Sequence, residues 1–193
     1  MNKKLCSITS TISLLALALF TAPGCALLGL EEEEEETETT KTGSLSDVEG
    51  TWVASCDSDL KIQTVQFSGT TLTYLTTQYL SSGCTSPRWS TSFVVSSLSA
   101  GSETTINGQK GYNFTGKTQS NTLTPADSSS ASTLNTIPYC GVTNWQANVA
   151  VSLAGKDCGN GIQSANGSDY ADKYRVSGTS LTLNNISGTF IKQ

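Results

Sequence analysis

The chain contains no histidine. Ser-His-Asp and Cys-His nucleophilic mechanisms are therefore excluded, as are His-ligated metal centres. Carboxylates, six cysteines and three tryptophans remain. Asp57 and Asp59 stand two apart and could share one face of a strand, as a two-carboxylate glycosidase would need. Directly after Cys56 they read more simply as loop caps. Asp157, Asn160, Asp169 and Asp172 offer oxygen ligands in a Gly-rich stretch, but their spacing does not match an EF-hand loop, and Asp, Asn and Gly are ordinary turn residues. No Gly-rich phosphate loop stands in a strand-to-helix context. No enzyme, metal or cofactor is expected.

Cys56, Cys84, Cys140 and Cys158 form no Cys-x-x-Cys pair. Zinc sites are built from clustered Cys and His, and a redox centre needs a close, exposed pair. The four therefore read as two disulfides, as an oxidising compartment favours. By count alone, four cysteines allow three pairings.

Cys6 and Cys25 belong to a different region. Lys3 and Lys4 precede a mostly apolar run over residues 5–20, which ends at Pro23-Gly24-Cys25. A membrane-spanning helix needs roughly 20 predominantly apolar residues. This run is shorter and is diluted by Ser7, Thr9, Ser10, Thr11 and Ser13. It has the architecture of a signal peptide, residues 1–24. Ala22-Pro23-Gly24-Cys25 resembles a bacterial lipobox, with Ala22 where Leu is usual. The resemblance implies cleavage before Cys25 and diacylation of its sulfur. Each buried acyl methylene contributes about 0.8 kcal/mol, so two or three chains anchor stably where one does not. Removing Cys6 and lipidating Cys25 leaves four cysteines, an even number. Ala26 follows Cys25, so the inner-membrane retention Asp is absent and the outer membrane is the expected destination.

Residues 25–44 read as a tether. Six consecutive glutamates, residues 31–36, lead into a Thr-rich stretch that offers nothing apolar to bury. Such a segment is expected to be disordered and extended, a solvated spacer. The whole chain carries a net charge of −5. Residues 45–193 hold eight Lys/Arg and nine Asp/Glu, a net of −1, so most of the acidity lies in the tether. With no basic patch, nucleic acid is not an expected partner.

Residues 45–193 are enough for one domain with a real core. Helix formers are scarce, and β-branched residues are common. Alternation predicts strands over residues 61–68 and 70–80, around Phe93-Val94-Val95, around Tyr112 and Phe114, and through Tyr174, Val176, Leu181, Leu183 and Phe190. Ser68-Gly69, Ser82-Gly83, Asn107-Gly108, Ser177-Gly178 and Ser187-Gly188 supply turns. The Ser/Ala-rich residues 125–136 read as a long loop, and residues 156–171 as irregular. Short strands at this spacing imply an all-β antiparallel barrel or sandwich.

Gly50-Thr51-Trp52 opens the first strand, and a Gly-x-Trp at that place resembles the lipocalins and wider calycin barrels. Cys56 follows four residues after Trp52, and Tyr74 and Tyr79 lead into Cys84-Thr85-Ser86-Pro87. Over residues 48–91, with support from Cys140-Gly141-Val142-Thr143-Asn144-Trp145, this resembles the extracellular domain of the animal Wnt-inhibiting glycoproteins that are down-regulated by adenomatosis polyposis coli. Those carry a tandem pair of such domains, and this chain has one. The sequence-local pairing, Cys56–Cys84 and Cys140–Cys158, fits the resemblance and is the one expected. The resemblance further implies a lipocalin-like cavity for a small apolar or acyl ligand. Inward-facing Tyr74, Phe93, Val95, Tyr112 and Phe114 are its expected lining. Trp52 is expected in the core and Trp145 over the second disulfide. Trp89 is expected either at the mouth or in a cation–π pair with Arg88. The alternative is an envelope structural or interaction lipoprotein with no small-molecule ligand.

Overall fold

The computed structural model describes residues 41–193. The expected signal peptide, Cys25 and the glutamate run lie outside the described residues. Nine strands occur in chain order: β1 (Gly50–Val53), β2 (Lys61–Ser68), β3 (Thr71–Tyr79), β4 (Pro87–Ile106), β5 (Gln109–Pro125), β6 (Val151–Ser152), β7 (Asp169–Ser177), β8 (Ser180–Leu183) and β9 (Phe190–Lys192). Each of the eight strands other than β6 pairs antiparallel with its chain neighbours, and β1 pairs with β9. The sheet therefore closes into an eight-stranded up-and-down barrel, which removes its edges. The short β6 pairs with the far end of β5.

In an up-and-down barrel the connections alternate between the two ends, and here the ends differ in kind. At one end β2–β3, β4–β5 and β7–β8 are joined by tight turns at residues 69–70, 107–108 and 178–179. Asn107 (φ 51°) and Gly108 (φ 74°) both take positive φ, as a two-residue hairpin turn matched to strand twist requires. At the other end the connections are residues 54–60, 80–86, 126–168 and 184–189. Both disulfides lie there: Cys56–Cys84 joins the first two connections, and Cys140–Cys158 staples the third.

The tight-turn end is a packed core. Val48, Trp52, Val65, Leu72, Val95, Phe114, Leu181 and Phe190 are wholly buried there. A single 3-10 turn, Leu45–Asp47, closes this end. The Trp52 indole N–H donates to the Val48 carbonyl at 2.7 Å. Residues 41–44, read above as the end of the tether, lie along the β4–β5 hairpin. Thr42 bridges to Ser102, the Gly43 N–H donates to the Gly101 carbonyl at 3.0 Å, and the Tyr174 hydroxyl donates to the Ser44 carbonyl at 2.9 Å. A Cβ on Gly43 would come within 2.6 Å of the Tyr112 ring, so only glycine passes there.

One expectation is corrected. Within residues 125–136, read as loop, Ser128–Thr136 forms a helix, α1. Asp127 caps it: its Oδ1 accepts from the Ser130 N–H at 2.7 Å and the Ser129 hydroxyl at 2.9 Å. These hydrogen bonds hold the Asp127 carboxyl below its ordinary range. Ala131 and Leu134, three apart, turn one face of α1 into a second apolar cluster with Leu123, Cys140, Val142, Trp145 and Leu153.

Candidate functional site

A cleft of about 400 Å³ lies at the long-loop end of the barrel, between its wall and the 126–168 connection. Tyr74, Thr91, Phe93 and Asn121 form the wall. Tyr74 faces Phe93 across β3–β4, and Phe93 faces Asn121 across β4–β5, so three adjacent strands present these side chains as a row. Tyr139, Leu153, Asn160, Ile162, Gln163 and Ser164 form the cover.

The cover is a fastened piece of irregular chain. The Leu153 N–H donates to the Asn121 carbonyl at 2.8 Å, and Asn121 Nδ2 donates to Gln163 Oε1 at 3.1 Å, tying cover to wall. Gly155 and Lys156 exchange backbone hydrogen bonds with Gln163, and Asp157 bridges to Ile162. Cys140 adjoins Tyr139, and Cys158 lies two residues before Asn160, so their disulfide links the two parts of the cover.

The five side chains expected to line a cavity, and Trp89 expected at its mouth or beside Arg88, separate. Tyr74 and Phe93 meet at the cleft. Val95 and Phe114 are fully buried in the packed core and line no open space. Tyr112 lies towards the tight-turn end, 5.7 Å from the Tyr174 ring, in a separate pocket with Asp47, Lys110 and Arg175. Trp89 packs on the second cluster and lines an outer groove with Leu75 and Thr77, while the Arg88 guanidinium sits 4.1 Å from its ring centroid. Trp145 lies in the same cluster as both cysteines of the second disulfide.

Sequence reasoning did not assign Thr91, Asn121 or the cover to the site. Thr91 and Asn121 share the inward register of Phe93, which is the signal that could have found them. The cover has no periodicity to read.

Next to this wall the barrel holds one buried carboxylate. Asp172 is 5% exposed and shares the inward face with its cross-strand partner Phe114. Its Oδ1 accepts from the backbone N–H groups of Lys173 (2.7 Å) and Asn185 (3.0 Å), and its Oδ2 from the Tyr170 hydroxyl (3.3 Å). Tyr170 packs against Phe93 (5.5 Å) and Phe114 (5.9 Å). Burial pushes the Asp172 carboxyl above its ordinary 3.8, against the opposing effect of those backbone N–H groups. Burial also raises Tyr170, and the Asp172 charge adds to it.

A raised folded-state pKa means that folding favours the protonated acid. The associated stability is full below pH 3.8 and is lost as pH rises through the folded value. Asp172→Asn keeps an acceptor for both backbone N–H groups and removes that loss. The variant should therefore gain stability relative to the native chain as pH rises from about 4 through the folded-state value. Urea unfolding across that range measures the difference, and a constant offset between the two proteins would contradict this account.

The other acidic candidates are committed elsewhere. Asp57 accepts from the Lys61 N–H at 2.8 Å, and Asp59 pairs with the Lys61 ammonium at 3.2 Å. Asp157 accepts from the Gly159 N–H at 2.9 Å, and Asp169 pairs with Lys117 at 2.6 Å. Among the described residues, no three His, Cys, Asp or Glu side chains converge as a metal site would need. The cleft can therefore offer aromatic faces, amides and hydroxyls. No family model matches the chain, and no curated protein matches it.

Proposed function

We propose that this is a lipid-anchored envelope protein whose barrel domain holds a small ligand in the cleft at its long-loop end. The observation that carries the reading is the division of the barrel. The barrel interior at one end is filled by a tight apolar core, with a pocket of about 360 Å³ beside its closing turn, while the other end keeps about 400 Å³ open against half-buried Tyr74 and Phe93. Small-molecule sites are commonly clefts of about 300–1,000 Å³ with aromatic walls and a few fixed polar groups, often in the mouths of β-barrels. Loops that leave such a space cannot hold themselves together by filling it. Disulfides at the same end supply that support here.

The packed layer of Val95 and Phe114 leaves no channel down the axis. This argues for a compact ligand at the mouth rather than an acyl chain threaded through the barrel. The lipobox-like segment around Cys25 supports the membrane anchor, and the Gly50-Thr51-Trp52 resemblance supports a calycin-type binding role.

Native mass spectrometry of the protein taken from its own membrane tests both parts. The expected result is a mature chain starting at a diacylated Cys25 and carrying a small molecule that is lost in Phe93→Trp, which fills the cleft. An unlipidated chain would overturn the anchor. A ligand retained unchanged in Phe93→Trp would overturn the site.

A second reading, docking of a protein partner, draws support from Leu80, Ile137, Val149 and Ile162. These are exposed by 46 to 77% and all lie in connections of that same end.

A further inference from the structure

The chemistry of the cleft narrows the class of ligand, on the assumption that the cleft is a binding site. No ammonium, guanidinium or carboxylate lines it. A charged group placed against half-buried Tyr74 and Phe93 would lose part of its solvation with no charged lining side chain to meet it, which is unfavourable. A plain alkyl chain fits poorly for the opposite reason. Asn121, Asn160, Gln163, Thr91 and Ser164 would be covered without hydrogen-bond partners, and unmade bonds of that kind are costly.

Those polar groups are also little used by the protein itself. Asn121 Nδ2 to Gln163 Oε1 is the one side-chain bond between them. Among the described residues, the Asn160 amide and the Thr91 and Ser164 hydroxyls bond no protein group. Asn121 Oδ1 and the Gln163 amide N–H groups are similarly left available. Amides and hydroxyls donate and accept at once. They match a ligand whose own groups do the same. Beside them stand the rings of Tyr74 and Phe93 on the wall and of Tyr139 on the cover, which offer apolar faces.

We infer that the cleft binds a neutral saccharide, with the C–H face of a sugar ring laid on Tyr74 and Phe93 and its hydroxyls shared among Asn121, Gln163, Asn160 and Ser164. A space of about 400 Å³ suits a short saccharide end rather than a polymer running through. The same chemistry can be presented by a free sugar or by the headgroup of a glycolipid.

The test uses the full chain in lipid nanodiscs, with saturation-transfer NMR and calorimetry. The probes are neutral disaccharides of glucose and of N-acetylglucosamine, the corresponding alkyl glycosides below their micelle concentration, a uronic-acid disaccharide, an amino-sugar disaccharide and palmitate. A neutral disaccharide should bind, with both charged analogues at least tenfold weaker. Gln163→Ala and Asn160→Ala should each lose about tenfold in saccharide affinity, or about 1.4 kcal/mol, with unchanged circular dichroism. An alkyl glycoside tenfold tighter than its free sugar supports the inference and identifies a glycolipid source. Equal affinities support it and identify a free sugar. Palmitate binding that Phe93→Trp abolishes, with no saccharide binding, would overturn this inference and leave the ligand-holding reading intact. Charged and neutral sugars binding equally would overturn the inference alone. If no probe binds, the saccharide inference falls, and the ligand-holding reading is decided by the native mass spectrum alone.

Discussion

Trp52→Ala lowers the stability of the domain by about 3–5 kcal/mol, the range for truncating a fully buried large aromatic. Trp52 is 0% exposed and sits opposite Val65 on one side and Lys192 on the other, so it spans the seam where the first and last strands close the barrel. The Lys192 ammonium lies 5.1 Å from its ring centroid, which shields the indole on that side. Alanine leaves a cavity that neighbouring strands, held in register on both sides, cannot collapse to fill. It also leaves the buried Val48 carbonyl without its 2.7 Å hydrogen bond. Trp52→Phe weights the two effects differently, because it loses the donor entirely but keeps a six-membered ring and so leaves a smaller cavity. Its loss should be the smaller of the two. Urea unfolding with linear extrapolation measures both. A cost below about 1 kcal/mol for Trp52→Ala would mean that the tight-turn end is not what holds the barrel closed.

The parts of this fold that were legible in the sequence are those where side-chain alternation runs unbroken. Alternation predicts β2 and β3 at residues 61–68 and 70–80, and the strands are Lys61–Ser68 and Thr71–Tyr79, because Val65, Phe67 and Leu72 alternate with polar neighbours. β4 is a 20-residue strand of which only the part around Phe93-Val94-Val95 could be read. Its pairing with β5 slips at Val94/Val95, Ser96/Ser99 and Ala100/Glu103, and each bulge resets the alternation that would mark a strand. α1 was missed because six of its nine residues are Ser or Thr, poor helix formers. Its signal was local, an Asp127 cap and the Ala131–Leu134 spacing.

The site was half legible for a related reason. Alternation tells which face a residue occupies but not how far along the barrel axis it lies. Tyr74, Phe93, Val95 and Phe114 all face inward, yet the first two reach the cleft and the last two are buried in the packed core. The cover, residues 139–164, follows neither period. Its place is set by a disulfide and by hydrogen bonds to residues distant in sequence, such as Asn121 to Gln163.

That dependence makes the two disulfides unequal in function while they are nearly equal in stability. Cys56–Cys84 spans 28 residues and Cys140–Cys158 spans 18. By loop-closure entropy each contributes about 3–4 kcal/mol, so replacing either pair with alanine should lower stability by a similar amount. The consequences for the cleft should differ. Cys56–Cys84 links two connections that adjoin barrel strands already paired along their length. Cys140–Cys158 links segments with no strand of their own apart from the two residues of β6. Without it, residues 154–164 are left with the Asn121–Gln163 hydrogen bond and their own short-range turns, whereas residues 142–153 keep the β6 pairing with β5, the hydrogen bonds to Asn135 and Pro125, and the contacts of Val142, Trp145 and Leu153 in the second cluster. Hydrogen exchange reads this directly. In Cys140→Ala/Cys158→Ala the amides of Gly155 and Gln163 should exchange at least tenfold faster, while those of β2 and β3 keep protection limited by global unfolding. In Cys56→Ala/Cys84→Ala the ratio between cover and barrel should stay as in the native chain. If exchange accelerated uniformly in both variants, the cover would be an integral part of the barrel's cooperative unit, and the cleft beneath it would be as fixed as the core.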